Sequence, residues 1–166
     1  MGVVCSMKTQ TVEVLDPGDL VAMAQCMAID AEAFPYASAQ FGLKAESARQ
    51  WVAREGANEG TSEGRSRVVG FLAGRVRRGA MHVEGLAVEA GARRHGVGRA
   101  LVRASVKYAR ATHLRAVGLH VSVANHAAIA LYEAEGFDVA GRLRGFYPPA
   151  AFGGEADALE MRLRLP

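Results

Sequence analysis

The chain has 166 residues, of which 50% are hydrophobic, and a formal net charge of +3. This length suits one domain with an ample core, and the sequence has neither an apolar run near the roughly 20 residues that span a bilayer nor a secretory signal pattern. We therefore expect a cytoplasmic protein in which a flexible extension, residues 1–10, precedes a single domain, residues 11–166.

The two cysteines, Cys5 and Cys26, are too few for a disulfide framework and have no metal-ligand spacing with the five histidines. We expect both to be free thiols, with Cys26 buried on a helix, and we expect no metal site. Residues 1–6 fit the loose myristoylation pattern with a nearby thiol, but so short a pattern often matches by chance. Met7 could be the natural start, and we expect no membrane attachment.

Hydrophobic periodicity and turn residues predict the elements of the first half of the chain. In order, these are a strand at 11–15, a helix at 20–33, a short helix or irregular loop at 38–47, a strand at 50–54 and a mobile surface loop at 55–66. The last segment consists mainly of Gly, Glu, Asn, Ser and Thr, which cannot build a core.

The second half is predicted to begin with an antiparallel pair of strands and to end with a hairpin. In order, the elements are strands at 67–76 and 80–88 around a tight turn at 77–79, a helix at 99–111, a strand at 116–123, a helix at 125–135, and hairpin strands at 137–143 and 158–165. Asn125 is a good N-cap, and Gly136 is a good left-handed residue just beyond the last helix. The order β α α β β β α β α β β indicates an α/β or α+β domain with a mixed central sheet flanked by helices.

The segment 88–101 contains the clearest binding signal, because a β-branched run ends there in basic residues and glycines before a helix begins near Arg99. Gly96 and Gly98 can turn tightly with positive φ and leave no side chain in the way. Their amides, together with the unpaired N–H groups of the helix, would converge on a phosphate.

Glycines in this pattern also occur in two nucleotide-binding motifs and in simple turns. A dinucleotide-binding fingerprint needs a third glycine where Leu101 stands. A Walker-type loop needs Gly-Lys-Ser or Gly-Lys-Thr, which the chain lacks. A loop whose glycines only cap and turn is the remaining alternative.

Charge is distributed unevenly along the chain. No Asp or Glu occurs between Glu89 and Glu133, and this stretch carries many Lys and Arg residues, so it would attract an anionic ligand. We do not expect nucleic acid as a partner, because no aromatic residues are interleaved with the charges and no nucleic-acid motif occurs. We interpret the basic stripe on helix 99–111 as a solvated face; it consists of Arg99, Arg103, Lys107 and Arg110.

Two motifs resemble those of the GNAT (general N-acetyltransferase) superfamily. Residues 93–98 (RRHGVG) match its pyrophosphate-binding signature, and residues 125–137 (NHAAIALYEAEGF) match its second hallmark, in the right order and at the right separation. Residues 31–36 (AEAFPY), 144–148 (RGFYP) and Asp157-Ala158 further resemble the protein amino-terminal acetyltransferases, the closest branch being the bacterial ribosomal-protein alanine N-acetyltransferases. The resemblance covers nearly the whole chain from about residue 11.

The resemblance implies a site for acetyl-CoA as co-substrate. The two strands at 80–88 and 116–123 would splay apart, the pantetheine would pair with the backbone of Leu86, Ala87 and Val88, and a backbone N–H there would stabilise the oxyanion of the thioester carbonyl. Asn125 would hold the cofactor arm where the strands diverge. The pyrophosphate would lie on the loop and first helical turn, namely Arg93, Arg94, His95, Gly96, Val97, Gly98, Arg99 and Ala100.

Attack by an amine on a thioester needs a base for the amine and an acid for the departing thiolate. Tyr132 occupies the family's position for the acid, aimed at the cofactor sulfur; a tyrosine simply buried by an amphipathic helix is the alternative.

His120 is the candidate base, in a position where the nearest branch has Glu. Alternation along the strand at 116–123 directs His120 away from the apolar side chains, and an imidazole with a pKa near 6.5 can accept a proton, directly or through a water. A structural, hydrogen-bonded histidine is the alternative. Glu84, on the same strand face as His82, is the rival base.

The resemblance also implies where the acceptor binds, although core or rim packing would explain the same aromatic residues. The mouth that grips a peptide amino terminus would consist of Phe34, Pro35, Tyr36, Phe146 and Tyr147. Gly145 stands where relatives often have Asn, and Ala90-Gly91-Ala92 replaces a Pro-x-aromatic turn.

The resemblance therefore implies an acetyl-CoA-dependent N-acetyltransferase that acts by direct attack in a ternary complex, with the α-amine of a protein or peptide as the expected acceptor. We expect a monomer or homodimer. A small-molecule amine acetyltransferase and a non-catalytic CoA-binding sensor are the alternatives.

Overall fold

The computed structural model describes residues 10–34, 49–56, 66–148 and 153–166. The strands in these ranges are β1 Gln10–Val14, β2 Arg49–Glu55, β3 Arg67–Arg77, β4 Ala80–Val88, β5 Ala116–Ser122, β6 Asp138–Leu143 and β7 Ala158–Arg164. The α-helices are α1 Leu20–Ala33, α2 Val97–Ala111 and α3 His126–Ala134, and a short 3-10 helix covers Ala90–Ala92. The expectations for Cys5, for residues 38–47 and for most of the loop at 55–66 lie outside the described residues.

The seven strands form one sheet in the order β1-β2-β3-β4-β5-β7-β6. All neighbours are antiparallel except β4 and β5, which are parallel. The predicted mixed central sheet is therefore confirmed. The predicted turn between β3 and β4 is confirmed as well, since Arg78 and Gly79 adopt positive φ values of 50° and 73°.

Helices cover both faces of the sheet. On one face α1 packs its buried side, including Cys26 and Ile29, against Val68 and Phe71 of β3. On the other face α2 buries Leu101 and its neighbours against the opposite side of the same strands. Because β3 lies between both layers, its residues 68–74 are continuously buried rather than alternating. Each large apolar side chain buried in this way contributes about 1.5–3 kcal/mol.

The helix ends follow the capping residues. The Asp19 carboxylate accepts a hydrogen bond from the Ala22 amide at 2.9 Å and starts α1, and the Asn125 side chain accepts one from Ala128 at 3.2 Å and starts α3. Gly136 follows α3 with a φ of 88°, as expected for a left-handed terminus. These local signals place α3, and with it Tyr132, beside the sheet.

One predicted boundary is wrong: α2 begins at Val97 rather than near Arg99. Its buried side includes Leu101 and Ser105, and Tyr108 is partly buried. As predicted, Cys26 is a buried free thiol, and burial raises the pKa of this thiol to about 12. None of the three described helices combines the length and apolar character needed for a membrane span.

Candidate active site

The parallel strands β4 and β5 pair over four residues and then separate. Their register runs from Ala80 opposite Ala116 to Val83 opposite Leu119. The pairing of β4 with β3 shifts at this level, leaving Glu84 as an extra residue between Val83 and Gly85, a β-bulge. From Gly85 to Val88 the strand pairs with β3 only, so its other edge carries no strand among the described residues. Such an edge can pair with an extended ligand.

The glycine loop leads directly into α2. Gly96 has a φ of 83° and is the N-cap of the helix, and a Cβ there would meet nothing within 4 Å. The first intrahelical bond runs from the Ala100 amide to the Gly96 carbonyl. The amides of the first turn before Ala100 therefore precede the helical hydrogen-bond pattern and point out of the helix start, a geometry that suits an anion.

Gly98 does not have the positive φ that the sequence suggested, because it lies inside the first turn of α2. Its role is steric: a Cβ there would lie 3.3 Å from Cδ2 of Leu131 on α3. Arg94 instead adopts a left-handed conformation, with a φ of 67°. The loop thus turns at 94 and 96, and Gly98 allows the two helices to approach closely.

A cleft of about 690 Å³ lies between the open edge of β4, the glycine loop and α3. Its lining comprises Ala33, Phe34, Leu86, Ala87, Val88, Ala92, Arg93, Arg94, Gly96, Val97, Gly98, Arg99, Asn125, Ala127, Ala128, Ala130 and Leu131. The structure thus brings together most of the residues proposed for the cofactor. Of the others, His95 is exposed on the same loop, Ala100 follows in the first turns of α2, and Tyr132 is buried on α3.

Two arginines of the cleft have defined partners. Arg93 Nε donates a hydrogen bond to the carbonyl of Val88, the last residue of β4, at 3.0 Å. Arg99 Nε lies 3.1 Å from the Glu135 carboxylate, which also accepts from Arg103 at 2.8 Å. The basic stripe on α2 is therefore not only a solvated face, since Glu135 ties two of its members to the end of α3.

Tyr132 is buried, with 6% of its surface exposed, and its ring centroid lies 5.7 Å from that of Phe137. Burial, and to a smaller extent the neighbouring Tyr147, raise the pKa of the phenol well above its usual value of 10.0. The hydroxyl is therefore protonated at neutral pH and can donate. Burial therefore keeps on the phenol the proton that an acid must hold before it donates, and the same environment is expected for a tyrosine that serves the core.

His120 lies where β4 and β5 separate, and its ring centroid is 4.9 Å from that of His82. His82 stands opposite Gly118 in the register, where a Cβ would lie only 3.9 Å from the His82 ring. Burial lowers the pKa of both imidazoles below 6.5, and for His82 the neighbouring His120 lowers the pKa further. Both rings are therefore neutral at pH 7 and able to accept a proton.

The contact between His82 and His120 was not predicted, although alternation along the two strands could have indicated it. In a parallel pair with His82 opposite Gly118, residue 120 is the next one on that face. Glu84, the rival candidate for the base, forms an ion pair instead: Glu84 Oε1 lies 3.6 Å from Arg75 Nε. The other oxygen, Oε2, is buried without a hydrogen-bond partner in the described part of the chain.

Aromatic side chains from two distant segments flank this region. Phe34, at the end of α1, lines the cleft. The Phe146 ring, beyond β6, lies 4.7 Å from the His120 ring, and Tyr147 packs edge-on against Phe146 at 4.9 Å. The remaining two residues of the proposed mouth, Pro35 and Tyr36, lie outside the described residues.

Comparisons with known proteins place this geometry in context. The chain matches the Acetyltransferase (GNAT) family over residues 23–137. No curated protein matches it. The ribosomal-protein-S18-alanine N-acetyltransferase of Escherichia coli is a similar solved structure, with a TM-score of 0.75 and 26% identity over 94% of each chain.

Two further solved structures share the fold. Arabidopsis thaliana NAA60, in complex with a bisubstrate analogue, has a TM-score of 0.77 and 23% identity over 94% of this chain and 98% of its own. Ard1 from Thermoplasma volcanium has a TM-score of 0.73 and 24% identity over 95% of this chain and 98% of its own. Because the family match spans well over half of the sequence, the chain belongs to the GNAT family of acetyl-CoA-dependent acetyltransferases.

Proposed function

We propose that the protein acetylates the α-amine of a protein or peptide N-terminus by direct attack within a ternary complex. The observation that carries this proposal is the aromatic side chain of Phe146 over His120, 4.7 Å between ring centroids, beside the separation of β4 and β5. An amine bound beside Phe146 would lie next to the candidate base, His120, and close to the point where β4 and β5 separate. The Escherichia coli neighbour, which is 26% identical, is named as an N-acetyltransferase of a ribosomal-protein alanine, and this name supports a protein amine as the acceptor.

The residues of the cleft fit acetyl-CoA. The open edge of β4 at Leu86, Ala87 and Val88 can pair with the amides of a pantetheine arm. The diphosphate would lie on the loop and first turn from Arg93 to Ala100, where amides, a left-handed glycine and arginines converge. Asn125 would hold the arm at the far wall. When bound, acetyl-CoA supplies an acetyl group activated as a thioester.

His120 takes the proton of the attacking amine in this mechanism. The amine nitrogen forms a bond to the thioester carbonyl carbon while a main-chain N–H near Leu86–Val88 stabilises the oxyanion. As the carbon–sulfur bond breaks, Tyr132 gives its phenolic proton to the sulfur, and exchange with water then moves the proton from His120 back to Tyr132. The net proton transfer from nitrogen to sulfur leaves the protein unchanged, and no cysteine is needed as a nucleophile.

The test is mass spectrometry of products after incubation with acetyl-CoA and a panel of acceptors. Peptides that begin with Ala or Ser should gain one acetyl group at the α-amine, and the same peptides with a blocked N-terminus should not react. Tyr132→Phe should bind acetyl-CoA like the parent in calorimetry yet turn over about 10²-fold more slowly, because an acid contributes about that much. Tyr108→Phe is the matched control, because Tyr108 lies near the C-terminal end of α2, away from the glycine loop.

The alternatives predict different products from the same panel. Selective acetylation of polyamines, amino acids or antibiotics would make the protein a small-molecule acetyltransferase. Binding of acetyl-CoA without any acetylated product would make it a sensor. A Tyr132→Phe variant as fast as the parent would remove the acid role from Tyr132.

A further inference from the structure

Asp157 lies in the loop region between β6 and β7. In the described part of the chain its carboxylate accepts hydrogen bonds from a main-chain amide and from an arginine. Its Oδ1 accepts a hydrogen bond from the Gly145 amide at 3.0 Å, and its Oδ2 accepts one from Arg142 Nε at 2.8 Å. The Gly145 amide, followed by Arg142, holds the pKa of this carboxyl below its usual value of 3.8. The group is therefore a carboxylate at neutral pH, and its hydrogen bonds are charge-assisted.

Main-chain bonds fix Asp157 itself. Its carbonyl accepts from the Val123 amide, just after β5, at 3.1 Å, and the neighbouring Ala156 carbonyl accepts from the Tyr147 amide at 2.8 Å. The carboxylate is thus anchored to the strand that carries His120. It acts from that anchor on a segment that precedes Phe146.

Hydrogen bonds hold the residues on both sides of Phe146. The Gly145 amide donates to Asp157, and the Tyr147 amide donates to the Ala156 carbonyl. Gly145 has a φ of 62°, a left-handed conformation that its bond to the carboxylate stabilises. The next residue, Phe146, is 45% exposed, yet its ring lies over His120. Apart from its contacts with His120 and Tyr147, a ring exposed to this extent has little packing to hold it in place.

We propose that Asp157 is a positioning residue for acceptor binding, which fixes Gly145 and thereby holds Phe146 over His120. This inference rests on the proposed acceptor mouth. The acceptor specificity of the site would then depend on a carboxylate that touches neither the acceptor nor acetyl-CoA. The Arg142 contact, in contrast, supports the carboxylate but does not set the position of Phe146.

Steady-state kinetics with the best acceptor found in the product screen provides the first test. Asp157→Ala should raise the acceptor KM about tenfold, the size of one lost charge-assisted hydrogen bond, and leave the acetyl-CoA KM within about twofold. Asp157→Asn, whose side-chain oxygen can still accept from Gly145, should have an acceptor KM close to that of the parent. Arg142→Gln, which removes only the ion pair, is the matched control and should resemble the parent. Equal changes in both KM values would overturn the proposal.

NMR of the His120 imidazole provides a test that needs no acceptor. A ring at 4.7 Å imposes a ring-current shift, and Phe146→Leu identifies its size. Asp157→Ala should move the His120 signal in the same direction as Phe146→Leu, whereas Asp157→Asn and Arg142→Gln should not. An unmoved signal in Asp157→Ala would overturn the positioning role, even if no peptide proves to be a substrate. Thermal unfolding of each variant shows that the comparison is made on folded protein.

Discussion

His82 and His120 are the pair of residues on which the proposed base chemistry depends. Their rings are 4.9 Å apart, so protonation of one disfavours protonation of the other. The charged or titratable groups near them are Glu84 and Arg77, which act on His82, and Glu160, which acts on both. Burial is the largest influence in each case and lowers both pKa values below 6.5.

The pH dependence of kcat/KM follows from these pKa values. For the parent protein, the acidic limb should have its midpoint below 6.5, because the base stays neutral until the pH falls to its lowered pKa. His120→Gln should reduce the rate about 10²-fold or more and remove this limb.

Three variants identify the group responsible. His82→Gln, which leaves the neighbouring imidazole of His120 in place, should retain the limb. Glu84→Gln should also retain it, because Glu84 is engaged by Arg75. A limb that persists unchanged in His120→Gln would transfer the role to another group.

At the level of elements, the N-terminus of α2 depends on one left-handed residue. Gly96 turns the chain so that the first-turn amides face the cleft. Within the described ranges no side-chain hydrogen bond caps this helix start. Amides at a helix N-terminus can bind an anion.

Gly96→Ala should weaken the binding of acetyl-CoA about tenfold. The free loop would relax out of the left-handed conformation, which costs an L-residue about 1–2 kcal/mol, and binding would have to restore it. Calorimetry with acetyl-CoA and with free CoA should show the same loss, because both ligands share the diphosphate. Gly91→Ala is the matched control: Gly91 belongs to the adjacent 3-10 helix, has no positive φ, and has open space around a Cβ. Equal affinities for the parent and Gly96→Ala would contradict the proposed cradle.

Elements with local signals could be predicted from the sequence. The Asn125 cap, the left-handed Gly136 and the turn at 78–79 each depend on residues adjacent in the chain, and all three are present. The start of α2 was misjudged because Gly98 resembles a turn residue, whereas its small size serves the approach of Leu131. No local pattern contains that contact between two helices.

The candidate site likewise contains some features that have a local sequence signal and others that depend on contacts between distant residues. The glycine loop and the α3 motif were visible as motifs, and the structure brings them to one cleft. The contact of His82 with His120, the Glu135 link between α2 and α3, and the Asp157 bond to Gly145 were not predicted. Each joins residues that are far apart in the sequence, so periodicity and spacing carry no information about them.

At the level of the whole molecule, the histidine pair connects the site to stability. The unfolded chain takes up protons at these imidazoles near pH 6.5, whereas the folded chain does so only at lower pH. The free energy of unfolding should therefore fall as the pH decreases through 6.5 toward the folded pKa values. Asp19 and Asp157, whose pKa values are lowered from 3.8, act in a separate range, with stabilisation that is present above that value and lost below it.

Urea unfolding at pH 7.5 and pH 5.5 measures this effect. The parent should be less stable at pH 5.5, and the double variant His82→Gln with His120→Gln should show a smaller difference. His95→Gln, which removes an exposed imidazole from the glycine loop, serves as the control. A double variant with the full difference would show that other groups are responsible.

The four-residue contact between β4 and β5 has a consequence for the sheet itself. Beyond Val83 and Leu119 no strand within the described ranges pairs with the free edge of β4. In the proposed complex the pantetheine amides of acetyl-CoA would pair with that edge, so that a small molecule would complete the sheet there. Because such a ligand binds only the folded chain, the free energy of unfolding should rise with the concentration of acetyl-CoA.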